Sequence, residues 1–118
     1  MANPNIVNVT SILGKTAYLT PSDTAANVLL ANAASSGTVL KNNQIVAANV
    51  DGTNAIDTTV AINTAAAGGS TSYPVVSTVS VPADATLIVA DKTTAIYLEE
   101  DKSIVVTSGT ASKIAYTI

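Results

Sequence analysis

The chain has 118 residues, a net charge of −3 and no Cys, His, Trp, Phe or Arg. Without His or Cys it lacks the side chains that most often serve as general bases and as transition-metal ligands. An acidic balance without Arg also argues against a nucleic-acid partner, and no apolar run approaches the roughly 20 residues of a membrane span. We therefore expect no catalytic residue, no metal, no other cofactor, no nucleic acid and no membrane.

Apolar and polar residues alternate along most of the chain with a period of two, which is typical of half-buried β-strands. In chain order the pattern predicts strands at 6–10, 15–20, 27–32, 38–41, 44–49, 56–63, 75–81, 86–90, 95–99, 103–107 and 113–118. Turn residues separate these runs about every 8–12 residues, as in antiparallel sandwiches. We predict an all-β fold, a single antiparallel β-sandwich over residues 1–118, jelly-roll-like or immunoglobulin-like, with 1–10 as an N-terminal arm or first strand.

Three connecting regions carry more specific expectations. Asp51-Gly52 lies between two alternating runs, a sequence that favours a β-hairpin because both turn positions tolerate positive φ. The stretch 64–67 is followed by Gly68-Gly69-Ser70 and is predicted to be a hairpin loop. The Ala-containing segment 23–34, which opens with Asp23 and Thr24, leaves a short helix as the alternative to the strand predicted there.

Two short motifs resemble binding sites but are incomplete. Gly14-Lys15-Thr16 matches the end of a nucleotide-binding loop, yet Val9 stands where that motif requires glycine, and a strand rather than a helix is predicted to follow. We interpret it as a hairpin turn. The oxygen-rich turn 51–54 lacks the glutamate that completes a calcium-binding EF-hand loop, so turn chemistry accounts for it.

Glu99-Glu100-Asp101 is the one acidic cluster of the sequence. Consecutive side chains at a strand end point in alternate directions, so we expect a solvated turn, with weak calcium binding as the alternative.

The four tyrosines are a second candidate group, because aromatic faces can stack on sugars. With no Trp in the chain, we expect them to pack in the core or at its rim instead; they are Tyr18, Tyr73, Tyr97 and Tyr116.

Charged residues make up only 11% of the chain, against about 25% in typical soluble domains. This deficit predicts that part of the surface is covered by neighbouring molecules. The N-terminal segment is a candidate contact because Pro4 restricts the preceding residue to extended conformations, which limits the ordering cost of docking. We predict a partner interface at Asn3, Pro4, Asn5 and Ile6.

Three stretches resemble a family of small virion structural proteins of tailed phages, common among marine phages that infect cyanobacteria. They are Met1–Thr10, the turn Asn49–Ala55 and the run Val79–Val106. Within that run the chain has Asp101-Lys102 where the family pattern has a glycine after the Glu-Glu pair.

The resemblance implies an all-β, non-enzymatic virion protein that is assembled in the host cytoplasm. Its implied role is that of a capsid decoration (cement) protein, with the major capsid protein or other virion proteins and copies of itself as partners. A tail, neck or fibre component is the first alternative. A carbohydrate- or host-surface-binding β-sandwich module is the second.

Overall fold

The computed structural model describes residues 14–91, 93 and 96–118, and those residues form strands and loops with no α-helix. The strand predicted at 6–10 lies outside the described residues. The strands are β1 (Tyr18–Leu19), β2 (Asn27–Asn32), β3 (Leu40–Asn42), β4 (Ile45–Asn49), β5 (Ile56–Asn63), β6 (Ser72–Val81), β7 (Thr86–Ala90), β8 (Ile96–Leu98), β9 (Lys102–Ser108) and β10 (Ile114–Thr117).

The strands pair in a nested order, so that first pairs with last. β1 pairs with β10, β2 with β9, β3 with β8, β4 with β7 and β5 with β6, all antiparallel. Two further ladders, β10 with β4 and β5 with β9, complete two four-stranded sheets. We call the sheet ordered β1-β10-β4-β7 sheet I, the one ordered β2-β9-β5-β6 sheet II, and the two-stranded β3-β8 sheet the ribbon.

This nested pairing in two sheets is the jelly-roll arrangement, one of the two sandwich types that the sequence predicts. An immunoglobulin sandwich orders its strands differently. The all-β antiparallel prediction is therefore confirmed, and the topology selects the jelly roll.

The core lies between the inner faces of the two sheets and is built from alternate residues of their strands. Tyr116 is its largest fully buried side chain. Burial of each large apolar side chain contributes roughly 1.5–3 kcal/mol, which is the main stabilising term in a chain without disulfides. The buried apolar cluster comprises Leu29, Ile45, Ala47, Ile56, Val60, Val81, Ala90, Leu98, Ile104, Val106, Ile114 and Tyr116.

The structure corrects one predicted hairpin. Asp51-Gly52 connects β4 of sheet I to β5 of sheet II, so the chain crosses the sandwich there instead of turning back. The reason is the buried Asn49, whose Nδ2 is directed at the carbonyl oxygens of Asn54 (2.9 Å) and Val81 (2.9 Å) and whose Oδ1 accepts from the Asp51 amide (2.8 Å). These bonds hold the crossing loop against the end of β6.

The other two local expectations have clear outcomes. Segment 23–34 contains strand β2 and no helix, because its apolar residues complete the ladder with β9. The residues after β5 form a hairpin loop that leads back antiparallel into β6, as the glycine-rich sequence predicts.

Candidate interaction surface

The outer face of sheet I presents an uncharged surface of eight residues. Cross-strand register places Tyr18 opposite Thr117, Thr117 opposite Val46 and Val46 opposite Ile88, so the four form one row across the sheet. Ala115, Ala48 and Thr86 form a second row beside the first, and Val50 follows β4 on the same side of the sheet. We call this surface the uncovered face; its residues are Tyr18, Val46, Ala48, Val50, Thr86, Ile88, Ala115 and Thr117.

The apolar side chains of the uncovered face are unusually accessible. Tyr18 is 80% exposed, Ile88 is 59% exposed and Val50 is 56% exposed. Scattered exposed apolar residues are normal, whereas a contiguous apolar group on one sheet is a candidate interaction surface.

The outer face of sheet II differs because the protein covers part of it, around Val105, with its own chain, while Ser80 on the same sheet stays exposed. Residues 64–71 form the β5–β6 hairpin loop and fold over that face. A Cβ added at Gly68 would lie 2.9 Å from Val28 Cγ2 and 3.1 Å from Val105 Cγ1. Ser103 Oγ also donates to the Ala65 carbonyl at 2.7 Å. Val105, on the outer side of β9, is buried as a result.

Asn63, the last residue of β5, holds this loop in place. Its Oδ1 accepts from the amides of Ala65 (2.9 Å) and Ser70 (3.1 Å). Its Nδ2 donates to the Ser70 carbonyl (3.0 Å) and to Ser72 Oγ (2.9 Å). The side-chain amide of Asn63 thus makes four hydrogen bonds, which hold both ends of the loop.

Charges gather at one end of the uncovered face and form a polar rim. Backbone amides of Thr53 and Asn54, with help from the nearby Lys113, lower the pKa of Asp51 below its ordinary value. The carboxylate of Asp84 lies beside Gly52, since a Cβ added there would be 3.6 Å from Asp84 Oδ2, an ordinary van der Waals distance. An apolar centre with a charged rim is the usual anatomy of a protein interface.

The acidic turn differs from its prediction. Glu100 is only 7% exposed, and its Oε2 has no hydrogen-bond partner, so the prediction of a solvated turn is wrong for this residue. Asp101 has a φ of +58° and accepts a hydrogen bond from the Ala66 amide at 3.4 Å. That contact with the hairpin loop pulls the turn toward the body of the protein. Within the described part of the chain no three acidic side chains are grouped as metal ligands.

The tyrosines also depart from expectation. Tyr116 packs in the core as predicted, but Tyr18, Tyr73 and Tyr97 are exposed, so the prediction of core or rim packing is wrong for these three. They lie on sheet I, sheet II and the ribbon respectively. They therefore form no common stacking platform. Lys41 Nζ lies 6.0 Å from the centroid of the Tyr97 ring, at the limit of a cation–π contact.

The remaining candidate residues fall in two groups. Asn3, Pro4, Asn5 and Ile6, the predicted partner interface, lie outside the described residues. Gly14, Lys15 and Thr16 are exposed and lead into strand β1, with no helix to form a phosphate-binding loop. An open cleft of about 480 Å³ lies near the ribbon and was not anticipated from the sequence; it is lined by Asn43, Gln44, Asp91 and Thr93.

No protein-family model, no curated protein and no solved structure matches this chain. In the residues that the structure describes, no helix is long and apolar enough to span a membrane. The features that bear on function are therefore the jelly-roll fold and the contrast between its two outer faces.

Proposed function

We propose that this protein is a non-enzymatic structural component of a phage virion, a capsid decoration protein present in many copies that stabilises the head shell by bridging major capsid subunits. The observation that carries the proposal is the uncovered face. It is uncharged and mostly apolar, whereas the opposite outer face is covered around Val105 by the protein's own hairpin loop. Each copy would use this face to contact its neighbours in the shell.

The size of the face supports a role in an array. The strands β1, β10, β4 and β7 contain two, four, five and five residues. At roughly 3.3 Å per residue and about 4.8 Å per strand, they span approximately 250 Å². Covering this area on both partners buries roughly 500 Å², well below the approximately 1,200 Å² of a stable two-protein complex. One such contact is weak, but many acting on the same particle hold together by multiplicity.

The fold is compatible with this role. Jelly rolls occur in viral capsid and lectin domains, so the topology alone allows both a virion role and a sugar-binding role. The sequence resemblance to phage virion proteins favours the first. The separation of the three exposed tyrosines onto different surfaces disfavours a sugar-stacking site.

Particle occupancy tests the proposal. Ile88→Lys places a charge on the uncovered face, in the row that Tyr18, Thr117 and Val46 form with it, and Tyr73→Lys places one on an exposed site of sheet II. Copies per purified particle, counted by quantitative mass spectrometry, should fall at least about tenfold for Ile88→Lys and stay unchanged for Tyr73→Lys. Circular dichroism establishes that both variants fold. Full occupancy by folded Ile88→Lys would contradict the proposal.

Copy number also separates the alternatives. A tail, neck or fibre component would be present in a few copies or in a small ring, whereas a decoration protein is present in proportion to the capsid subunits. Specific binding in a glycan array, lost on changing the exposed Tyr97 of the ribbon, would favour the carbohydrate-binding module instead.

A further inference from the structure

We propose that the uncovered face of one copy binds the N-terminal segment, residues 2–13, of an adjoining copy. This inference rests on the proposed function because it names the partner that the uncovered face contacts in the array. The contact would link copies in series, with each copy receiving one segment and supplying another.

The first argument is chemical matching. Residues 2–13 contain no charged side chain, and neither does the uncovered face. Packing one on the other therefore removes no side-chain charge from water, which is the main penalty in burying polar protein surfaces. The apolar residues of the segment that would supply the buried area are Ile6, Val7, Val9, Ile12 and Leu13.

The second argument is reach. The segment joins the described structure at Gly14, three residues before the ladder of sheet I begins at Ala17. Twelve extended residues span up to about 40 Å, whereas four strands spaced about 4.8 Å apart measure roughly 15 Å between the outermost strands. The segment is therefore long enough to leave its own sheet and cross the uncovered face of a neighbour.

The third argument is the design of the other outer face. On sheet II eight residues of the same chain, 64–71, bury Val105 and contact Val28, which stays 37% exposed. On sheet I, Tyr18, Val50 and Ile88 stay more than half exposed. A segment of similar length would complete the same arrangement on sheet I.

The path of the chain favours a neighbour as the source of this segment. Ala17 exchanges two backbone hydrogen bonds with Ile118, both 2.9 Å long, so the chain arrives at β1 already paired in the plane of sheet I. β1 is the edge strand of sheet I, so a segment that continues outward from it meets a neighbouring copy, whereas a segment that covers its own face has to turn back toward β10.

Designed disulfides test this directly, since the native chain contains no cysteine. One variant carries Ile6→Cys, and a second, distinguished by a tag, carries Thr86→Cys on the uncovered face. A control partner carries Ser80→Cys, an exposed position on sheet II. A bond forms only when the two Cα atoms come within about 7 Å. The purified variants are mixed, oxidised mildly and analysed on non-reducing gels over a range of concentrations.

The expected result is at least about tenfold more mixed dimer with Thr86→Cys than with Ser80→Cys, rising with protein concentration. Equal yields with both partners would overturn the inference. So would a disulfide within one chain of the Ile6→Cys, Thr86→Cys double variant that persists unchanged on dilution, because the segment would then cover its own sheet. The measurement uses purified protein, so its failure is distinguishable from failure of the particle-occupancy test.

Discussion

The hydroxyl of Tyr116 is hydrogen-bonded to Oγ1 of Thr58, and this pair joins the two sheets through the middle of the core. Tyr116 lies on β10 of sheet I and Thr58 on β5 of sheet II, and both are buried. The same hydroxyl donates to the Thr107 carbonyl at 3.0 Å. The buried Tyr116 hydroxyl thereby has two hydrogen-bond partners, both on strands of sheet II, and these bonds fix how the two sheets lie on each other.

Tyr116→Phe should lower the free energy of unfolding by about 1–2 kcal/mol, because it removes both hydrogen bonds of the phenol and leaves the Thr58 hydroxyl and the Thr107 carbonyl only their long mutual contact of 3.5 Å. For a domain of this size that corresponds to a decrease in Tm of roughly 5 °C or more. Urea denaturation followed by circular dichroism measures it. Tyr73→Phe, which removes an exposed hydroxyl, is the matched control and should change stability by less than about 0.5 kcal/mol. Equal urea midpoints for the two variants would contradict the interpretation.

Alkaline pH should destabilise the protein through the same residue. Burial raises the pKa of Tyr116 above its usual value of about 10, and this outweighs the hydrogen bond with Thr58, which lowers it. Below pH 10 the phenol is neutral in both states and pH has no effect through it. Above pH 10 the unfolded chain ionises first, so stability falls by up to about 1.4 kcal/mol per pH unit until the folded pKa is reached. Urea midpoints between pH 8 and 11 should show this added slope in the native protein and not in Tyr116→Phe.

The positions of the described strands could be predicted from alternation because each strand of a sandwich buries every second residue. Thr86–Ala90 and Asn27–Asn32 begin and end where the sequence pattern does. Pairing could not be predicted in this way. Asp51-Gly52 has hairpin chemistry, yet Asn49 ties the loop to β6, more than 30 residues away in sequence, and no local pattern contains that contact.

The candidate interaction surface was only partly visible in the sequence. Low charge indicated a covered surface, but Val46 and Ala47 are both small and apolar, so alternation alone does not say which faces outward. The distinction depends on the opposite sheet, which packs against the side that carries Ala47. Burial of Glu100 likewise depends on a distant element, since Asp101 contacts the hairpin loop through Ala66.

Asn49→Ala should cost about 2–4 kcal/mol of stability. The change removes the donor to the carbonyls of Val81 and Asn54 and the acceptor for the Asp51 amide, and it leaves these backbone groups without their partner in a partly buried loop. Asn43→Ala is the matched control because Asn43 is exposed. Thermal unfolding of both variants provides the comparison, and similar Tm values would show that Asn49 does not organise the crossing.

Gly68→Ala should destabilise the protein by about 1–2 kcal/mol, whereas Gly69→Ala should not. Gly68 has a φ of +78°, and an added Cβ would lie 2.9 Å from Val28 Cγ2, so both the backbone and the packing oppose a side chain. Gly69 has open space around its Cβ position. Amide hydrogen exchange gives a second readout. The Ser70 amide donates a hydrogen bond to Asn63 Oδ1, and a loosened loop should expose this amide to exchange. Equal protection in both variants would mean that the loop does not depend on Gly68.

Glu100→Gln should raise stability by about 1 kcal/mol. Glu100 is buried, and its Oε2 lacks any hydrogen-bond partner, so a neutral amide of the same shape exchanges an unpaired carboxylate oxygen for an unpaired neutral atom, which costs less to bury. Glu99→Gln, at an exposed neighbouring position, is the control and should have little effect.

Chemical denaturation with and without added calcium tests the alternative interpretation of the acidic turn, that it binds calcium weakly. We expect calcium to leave all three proteins unchanged, since the described acidic side chains do not form a group of three. Calcium-dependent stabilisation of the native protein that is lost in Glu100→Gln would instead show that the buried carboxylate is a cation ligand.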